Sequence, residues 1–267
     1  MRSRQYRRNI VDLHLKGKNV LIVGASLGVG LEAAVMFATE GANVMLASRS
    51  EERLAKAAAR VSKESGNSNV YCVVGDIRDK ASHKQFVDAT IAKLGSIDIL
   101  VNNAGAAMAK PNAEMTDELW TEALNYKLLG YIRTTMEAFP VMRKNGGGVI
   151  INVIGGTGRE PYSWTSSTGV VNAALLNFTK TTATQYAASG IRVNAINPRQ
   201  IDTKRLADFE AVEPGGYAGT IAEIPMGRIG RPEEVASMIV FLASDRASFI
   251  TGTAIDVDGG ATRSVSF

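Results

Sequence analysis

The chain has 267 residues, with 30 Lys and Arg against 26 Asp and Glu, a formal net charge of +4, 45% hydrophobic residues and 26 glycines. That apolar share excludes global disorder, and no apolar run reaches the roughly 18–20 residues needed to span a bilayer. A single cysteine, Cys72, and two histidines, His14 and His83, exclude an internal disulfide framework and an all-thiolate zinc site, so no metal is expected and a reducing, cytoplasmic setting fits. In chain order, residues 1–18 come first and hold Arg2, Arg4, Arg7, Arg8, Lys16 and Lys18 against Asp12. The pI near 9.2 therefore reports a basic arm over 1–16, ahead of a nearly neutral domain over 17–267. Such an arm either contacts nucleic acid or another anionic surface, or is a solvated tail or a clasp on a neighbouring subunit; the second reading is favoured, and nucleic acid is not expected as a partner. The arm lacks the apolar core of a secretory signal.

Behind the arm, short apolar runs alternate with helical stretches. Asn19–Val23 reads as a strand, Leu31–Glu40 as a helix, Asn43–Ala47 as a strand and Glu51–Ser65 as a charged helix. Val70–Val74 is a third strand, followed by a helix over Ser82–Leu94 and a strand over Ile97–Val101. A long helical stretch over about 118–143 precedes a strand at Val149–Ile154, a helix over about 166–188 and a strand at Ile191–Ile196. A last helix, Pro232–Ala243, opens with proline in its first turn, and a short strand over Thr253–Val257 closes the series. The strands are continuously apolar, as expected when helices cover both faces. The alternation predicts an α/β fold: a doubly wound parallel sheet of the Rossmann type in a three-layer αβα single domain.

The loop Gly24-Ala25-Ser26-Leu27-Gly28-Val29-Gly30 sits between the first strand and the first helix. Its glycines permit a tight turn and a close backbone approach to a pyrophosphate, and the helix start supplies unbonded N–H groups and a favourable dipole. The second strand ends Ser48-Arg49-Ser50. An acid there would hold the ribose hydroxyls of NAD; a guanidinium pairs instead with a 2′-phosphate, which favours NADP over NAD. The alternative for Arg49 is a solvated residue at a helix start.

At this point the sequence resembles the short-chain dehydrogenase/reductase family. The resemblance rests on Gly24-x3-Gly28-x-Gly30, Val74-Gly75-Asp76-Ile77, Asn102-Asn103-Ala104-Gly105, Gly190 to Pro198, the Ile224-Pro225-Met226-Gly227-Arg228 turn with the Arg231-Pro232-Glu233-Glu234 helix start, and Val257-Asp258-Gly259-Gly260. It spans about 17–261. It implies a dinucleotide-binding domain, a homotetramer or homodimer, and a small-molecule substrate, without a membrane partner. It also implies a cofactor site made by Gly24, Ser26, Leu27, Gly28, Val29, Gly30, Ser48, Arg49, Asp76, Ile77, Asn103, Ala104, Gly105, Asn172, Pro198, Ile201 and Thr203.

The family's catalytic Asn, Ser, Tyr and Lys do not carry over. Anchoring the register on Thr179-Lys180 and Gly190-Ile191-Arg192 downstream and on Ile151-Asn152 and Gly158 upstream puts the Tyr position on Thr168, the Lys position on Asn172 and the Ser position on Gly155. From Trp120 and Gly130, the Asn position falls on Lys127, not on Asn125. An alkyl hydroxyl cannot be tuned as a phenol near 10 can, so Thr168 is a poor acid, and Gly155 has no side chain with which to polarise a carbonyl. Lys127 and Asn172 are the family's Asn and Lys with the two residue types exchanged. Two readings stand: a cation kept near the nicotinamide ribose but delivered from the opposite helix, or coincidence, with Lys127 turned to solvent. Thr165, Thr168 and Asn172 share a helix face and are expected to line the site.

Tyr162, in the loop Gly155–Trp164, is a candidate replacement acid or an ordinary loop residue. Arg199 stands where the family has glycine; it either stiffens the backbone there or faces an anionic substrate. Residues 204–224 are expected to form a substrate cover. Three functions remain open at this stage: an NADP-dependent oxidoreductase interconverting a carbonyl and an alcohol with a rearranged proton relay, a dinucleotide-binding protein without hydride chemistry, and a lyase or isomerase on the same fold.

Overall fold

The computed structural model of the chain describes residues 11–105, 110–204, 206 and 221–264. The first ten residues of the basic arm and most of the expected cover, 207–220, lie outside the described residues. Among those described, seven parallel strands form one sheet in the order β3-β2-β1-β4-β5-β6-β7. These are β1 Asn19–Val23, β2 Asn43–Ser48, β3 Val70–Val74, β4 Ile99–Asn102, β5 Gly148–Val153, β6 Ile191–Pro198 and β7 Ala254–Val257.

Register follows the apolar runs: Val20 pairs with Val44 on one side and Ile99 on the other, and Ile151 pairs with Val101 and Asn194. Because a strand turns successive side chains to opposite faces, Val20 and Ile22 pack under α1 (Gly28–Thr39), α2 (Glu51–Ser65) and the last described helix. Leu21 and Val23 join Phe86 and Val87 of α3 (Lys80–Leu94) on the other face. The three-layer Rossmann-type architecture expected from the sequence is therefore present. No helix among the described residues is long and apolar enough to cross a membrane.

Most boundaries agree with the sequence to within two residues, and the departures have local causes. The first helix starts at Gly28 rather than Leu31. The fourth strand is shifted to Ile99–Asn102, with Ile97 buried ahead of it. The stretch read as one helix over 118–143 has three parts: α4 Asp117–Ala123, a π-helical turn Leu124–Leu128, and α5 Leu129–Lys144. A π turn inserts one residue into the helical repeat and so rotates the side chains that follow it, a device frequent at functional sites. Here it carries Tyr126 and Lys127 toward the strand ends. Beyond it lie α6 Ser166–Tyr186 and α7 Pro232–Ala243.

Candidate functional site

Three α-helix starts among the described residues are closed by a side-chain cap. Ser50 accepts from Arg53 N at α2, Asp79 from Ala81 N at α3 and Thr116 from Leu119 N at α4. The start of α1 differs: Leu27 stands at its N-cap and makes no side-chain cap, so its first N–H groups are left for another acceptor. That open end faces a cleft of about 1570 Å³ at the carboxyl ends of the strands, beside the reversal of strand order between β1 and β4. Ligands bind at such switch points, and the volume exceeds the roughly 300–1,000 Å³ of an ordinary small-molecule pocket. A Cβ on Gly24 would lie 2.6 Å from the Ala104 nitrogen, so only glycine lets the loop approach the Asn103-Ala104-Gly105 segment. Asn103 ties the two together, donating to the Gly24 carbonyl at 2.8 Å.

Every residue expected at the cofactor lines this cleft except Gly30. Gly30 is buried at the start of α1, where a Cβ would meet the Gly24 carbonyl oxygen, so glycine there lets the helix pack against the loop. At one end of the cleft the Ser26 and Ser48 hydroxyls lie 3.0 Å apart. The Arg49 side chain is 51% exposed and approaches Asp76 at 3.9 Å. Asp76 is held by Arg78 at 2.6 Å, whose hydrogen bonds keep the Asp76 carboxyl below its ordinary range. Arg49 and Arg78 both lie over the Tyr126 ring, at 5.5 and 5.6 Å from its centroid. Sequence reasoning missed Arg78 and Tyr126, because their place in the cleft comes from the π turn and the β3–α3 connection rather than from a motif.

The inner end gathers Lys127, Gly155, Thr168 and Asn172, the four positions expected from the sequence to stand where the family has its catalytic residues. Lys127 is 4% exposed, so the solvent-facing reading is overturned. Its Nζ donates to the Ile154 carbonyl and, at 2.9 Å, to Asn172 Oδ1. Lysine offers only donors, so the amide oxygen must face it and Nδ2 points away. Nδ2 donates to Thr157 Oγ1 at 2.8 Å. Gly155, Thr168 and Asn172 line the same space. Asn125 turns elsewhere, donating to the Arg78 carbonyl at 3.2 Å and accepting from Arg133 at 2.6 Å, in keeping with the register that selected Lys127. Thr165 does not line the cleft, contrary to expectation: it sits at the start of α6, buried, and its hydroxyl bonds the Tyr162 backbone at 2.9 Å.

The loop after Gly155 is pinned from two sides. Arg159 pairs with Asp256 and donates to the Ala254 carbonyl at 2.9 Å. The Arg199 side chain is 6% exposed and bonds Glu160 Oε2 at 3.0 Å and the Ala261 carbonyl at 3.2 Å. Its guanidinium is held by these partners, and the side chain lines the cleft. Glu160 Oε1 also accepts from the Arg263 N–H at 2.7 Å. Arg199 lies 5.4 Å over the Tyr162 ring, which stacks on Trp164 at 5.3 Å. Tyr162 and Trp164 form one wall of the cleft; the Tyr162 hydroxyl points to Glu223 at 3.5 Å. Of the expected cover, Lys204, Leu206 and Glu223 line the cleft. Thr157 also went unnoticed in the sequence, where the large residues of its loop drew attention and a small hydroxyl two places after Gly155 gave no signal of its own.

Residues 24–262 match the family described as enoyl-(acyl carrier protein) reductase. The chain is 35% identical to the 3-oxoacyl-[acyl-carrier-protein] reductase of Thermotoga maritima, over 93% of this chain and 99% of that protein. It is similar in structure to the L-sorbose reductase of Gluconobacter frateurii, solved with NADPH and L-sorbose, with a TM-score of 0.87 and 32% identity over 95% of this chain and 100% of that one. It is also similar to a short chain oxidoreductase of Pseudomonas aeruginosa PAO1 described as containing an atypical catalytic center and solved with NADPH bound. There the TM-score is 0.87, with 30% identity over 94% of this chain and 99% of that one.

Proposed function

The chain belongs to the short-chain dehydrogenase/reductase family, and on that premise we propose that it is an NADP(H)-dependent oxidoreductase interconverting a carbonyl and an alcohol, with Lys127 supplying the cation that the family places at position 172. The observation that carries this reading is the Lys127–Asn172 contact of 2.9 Å at the inner end of the cleft: the two exchanged residue types meet, so the positive charge is retained in the site although its helix of origin has changed.

The residues present fit the cofactor. The uncapped start of α1 and the close Gly24–Ala104 approach suit a pyrophosphate, with the helix dipole adding to the N–H donors. Arg49, half exposed beside Ser48 at the end of β2, suits a 2′-phosphate, and the similar reductases solved with NADPH support the same choice. When bound, NADPH supplies a hydride to the carbonyl carbon. The chain's own contribution is to orient the reacting carbonyl against the Gly155–Thr157 turn, to hold positive charge at Lys127 Nζ beside Asn172, and to exclude water with the Tyr162–Trp164 wall.

The test is a binding and turnover comparison. NADPH should bind roughly 10- to 100-fold more tightly than NADH, the range of a charge-assisted hydrogen bond, and Arg49→Asp should reverse the order. Equal affinities in the parent would sink the cofactor assignment. NADPH oxidation with a panel of small ketones and diketones should be lost in Lys127→Met. Tight NADPH binding with no turnover across the panel would favour a non-catalytic dinucleotide-binding protein instead.

A further inference from the structure

We infer that the Thr157 hydroxyl binds and polarises the substrate oxygen, taking over the task that Gly155 cannot perform; the inference rests on the oxidoreductase reading above. Thr157 lies in the short helical turn Gly156–Gly158 after β5 and lines the cleft. Its Oγ1 accepts from Asn172 Nδ2 at 2.8 Å, and it has no other side-chain hydrogen bond among the described residues. One lone pair is thus engaged, while the hydroxyl proton remains to be donated into the cleft.

Three groups stand in line with their donors pointing one way. Lys127 Nζ donates to Asn172 Oδ1 at 2.9 Å, Asn172 Nδ2 donates to Thr157 Oγ1 at 2.8 Å, and the Thr157 O–H is the last donor of the series. Bonds chained in one direction polarise one another. An ammonium at the head withdraws electron density through the amide and makes the terminal O–H a stronger donor than an isolated threonine. Asn172 thereby transmits the influence of Lys127 to Thr157. The turn is held in place for this by the contact of Gly158 with α6, where a Cβ would lie 2.7 Å from the Asn172 carbonyl carbon. The hydroxyl is consequently fixed against Asn172 rather than left to rotate with a loose loop. Thr157 here binds and polarises; the proton that completes reduction is not assigned to it.

The experiment has two arms. In a crystal structure of the protein with NADP+, Thr157 Oγ1 should lie within about 8 Å of the nicotinamide C4. That is the outer reach of one hydrogen bond of about 2.8 Å, a C=O bond of about 1.2 Å and a near-attack distance of about 3–3.5 Å. A separation beyond about 8 Å would overturn the inference while leaving the cofactor assignment intact. In the second arm, NADPH oxidation is followed with the ketone panel for the parent, Thr157→Val and Thr157→Ser, alongside the NADPH dissociation constant. Thr157→Val, nearly isosteric, should lower kcat/KM by about 10²-fold, the scale of losing one donor to a developing negative oxygen. Thr157→Ser should restore it to within about 10-fold, since a single neutral donor is worth about that much or less, and NADPH affinity should stay unchanged in both, because the hydroxyl is assigned to the substrate oxygen. Thr157→Val as active as the parent, or Thr157→Ser as impaired as Thr157→Val, would overturn the inference. A parent that fails to bind NADP(H) or to reduce any ketone removes the oxidoreductase reading and this inference with it.

Discussion

Restoring a serine at position 155 should destabilise the protein rather than repair it. Gly155 has φ +127° and ψ +146°, a region that side-chain-bearing residues avoid at a cost of about 1–3 kcal/mol. A Cβ built there would also lie 3.0 Å from Asn172 Nδ2, a contact that adds roughly 1 kcal/mol of overpacking. Together the two effects amount to about 2–4 kcal/mol, which for a chain of this size lowers Tm by roughly 4–7 °C. Gly155→Ala isolates the Cβ from the hydroxyl and should cost as much as Gly155→Ser. Repeating it in an Asn172→Ala background should recover the contact portion and leave the backbone portion, a coupling of about 1 kcal/mol in a double-mutant cycle. The measurement is thermal and urea unfolding of the parent, Gly155→Ser, Gly155→Ala, Asn172→Ala and the Gly155→Ala/Asn172→Ala double variant. If Gly155→Ala were neutral, or stabilising by the roughly 0.4–1 kcal/mol expected of Gly→Ala at an ordinary φ, the backbone at 155 would not be the barrier inferred here. The same reasoning means that the combined change Lys127→Asn, Gly155→Ser, Thr168→Tyr, Asn172→Lys should regain conventional activity only if the turn after β5 relaxes.

Two further outcomes follow from named contacts. His83 is 1% exposed between Thr134 and the Ile77 carbonyl, and burial lowers its pKa below the ordinary 6.5. Below pH 6.5 the unfolded chain therefore binds a proton that the folded chain refuses, so stability is full above that pH and falls as the pH drops toward the folded value. Tm should decline between pH 7 and 5 more steeply in the parent than in His83→Gln, and parallel curves would refute the assignment. Separately, Met136 on α5 and Val170 on α6 are 62% and 52% exposed, a place for the oligomer contact expected of the chain. Met136→Asp with Val170→Asp should reduce the light-scattering mass to the 28.4 kDa of one chain; a parent already at that mass at micromolar concentration would refute the oligomer.

The sequence by itself determined the fold and the nucleotide end of the cleft, because both are written in local patterns. Continuous apolar strands such as Asn19–Val23 alternating with helices specify a doubly wound parallel sheet, and a glycine loop between a strand and a helix specifies where an anion is received. Spacing along the chain also singled out Lys127, Gly155, Thr168 and Asn172, which the fold brings to one cleft. What only the tertiary structure decided was which side chains meet. Whether Lys127 faced solvent or Asn172 depended on the π turn at Leu124–Leu128, a single inserted residue that spacing along a regular helix does not reveal. The partners that hold Arg199, Glu160 and the Ala261 carbonyl, lie 39 and 62 residues away in sequence. Thr157 gave no signal as a lone small hydroxyl, because its importance lies wholly in the amide that reaches it from α6 across the turn. Contacts of that kind are set by packing between elements distant in the chain, and packing is a property of the folded molecule that a local pattern does not carry.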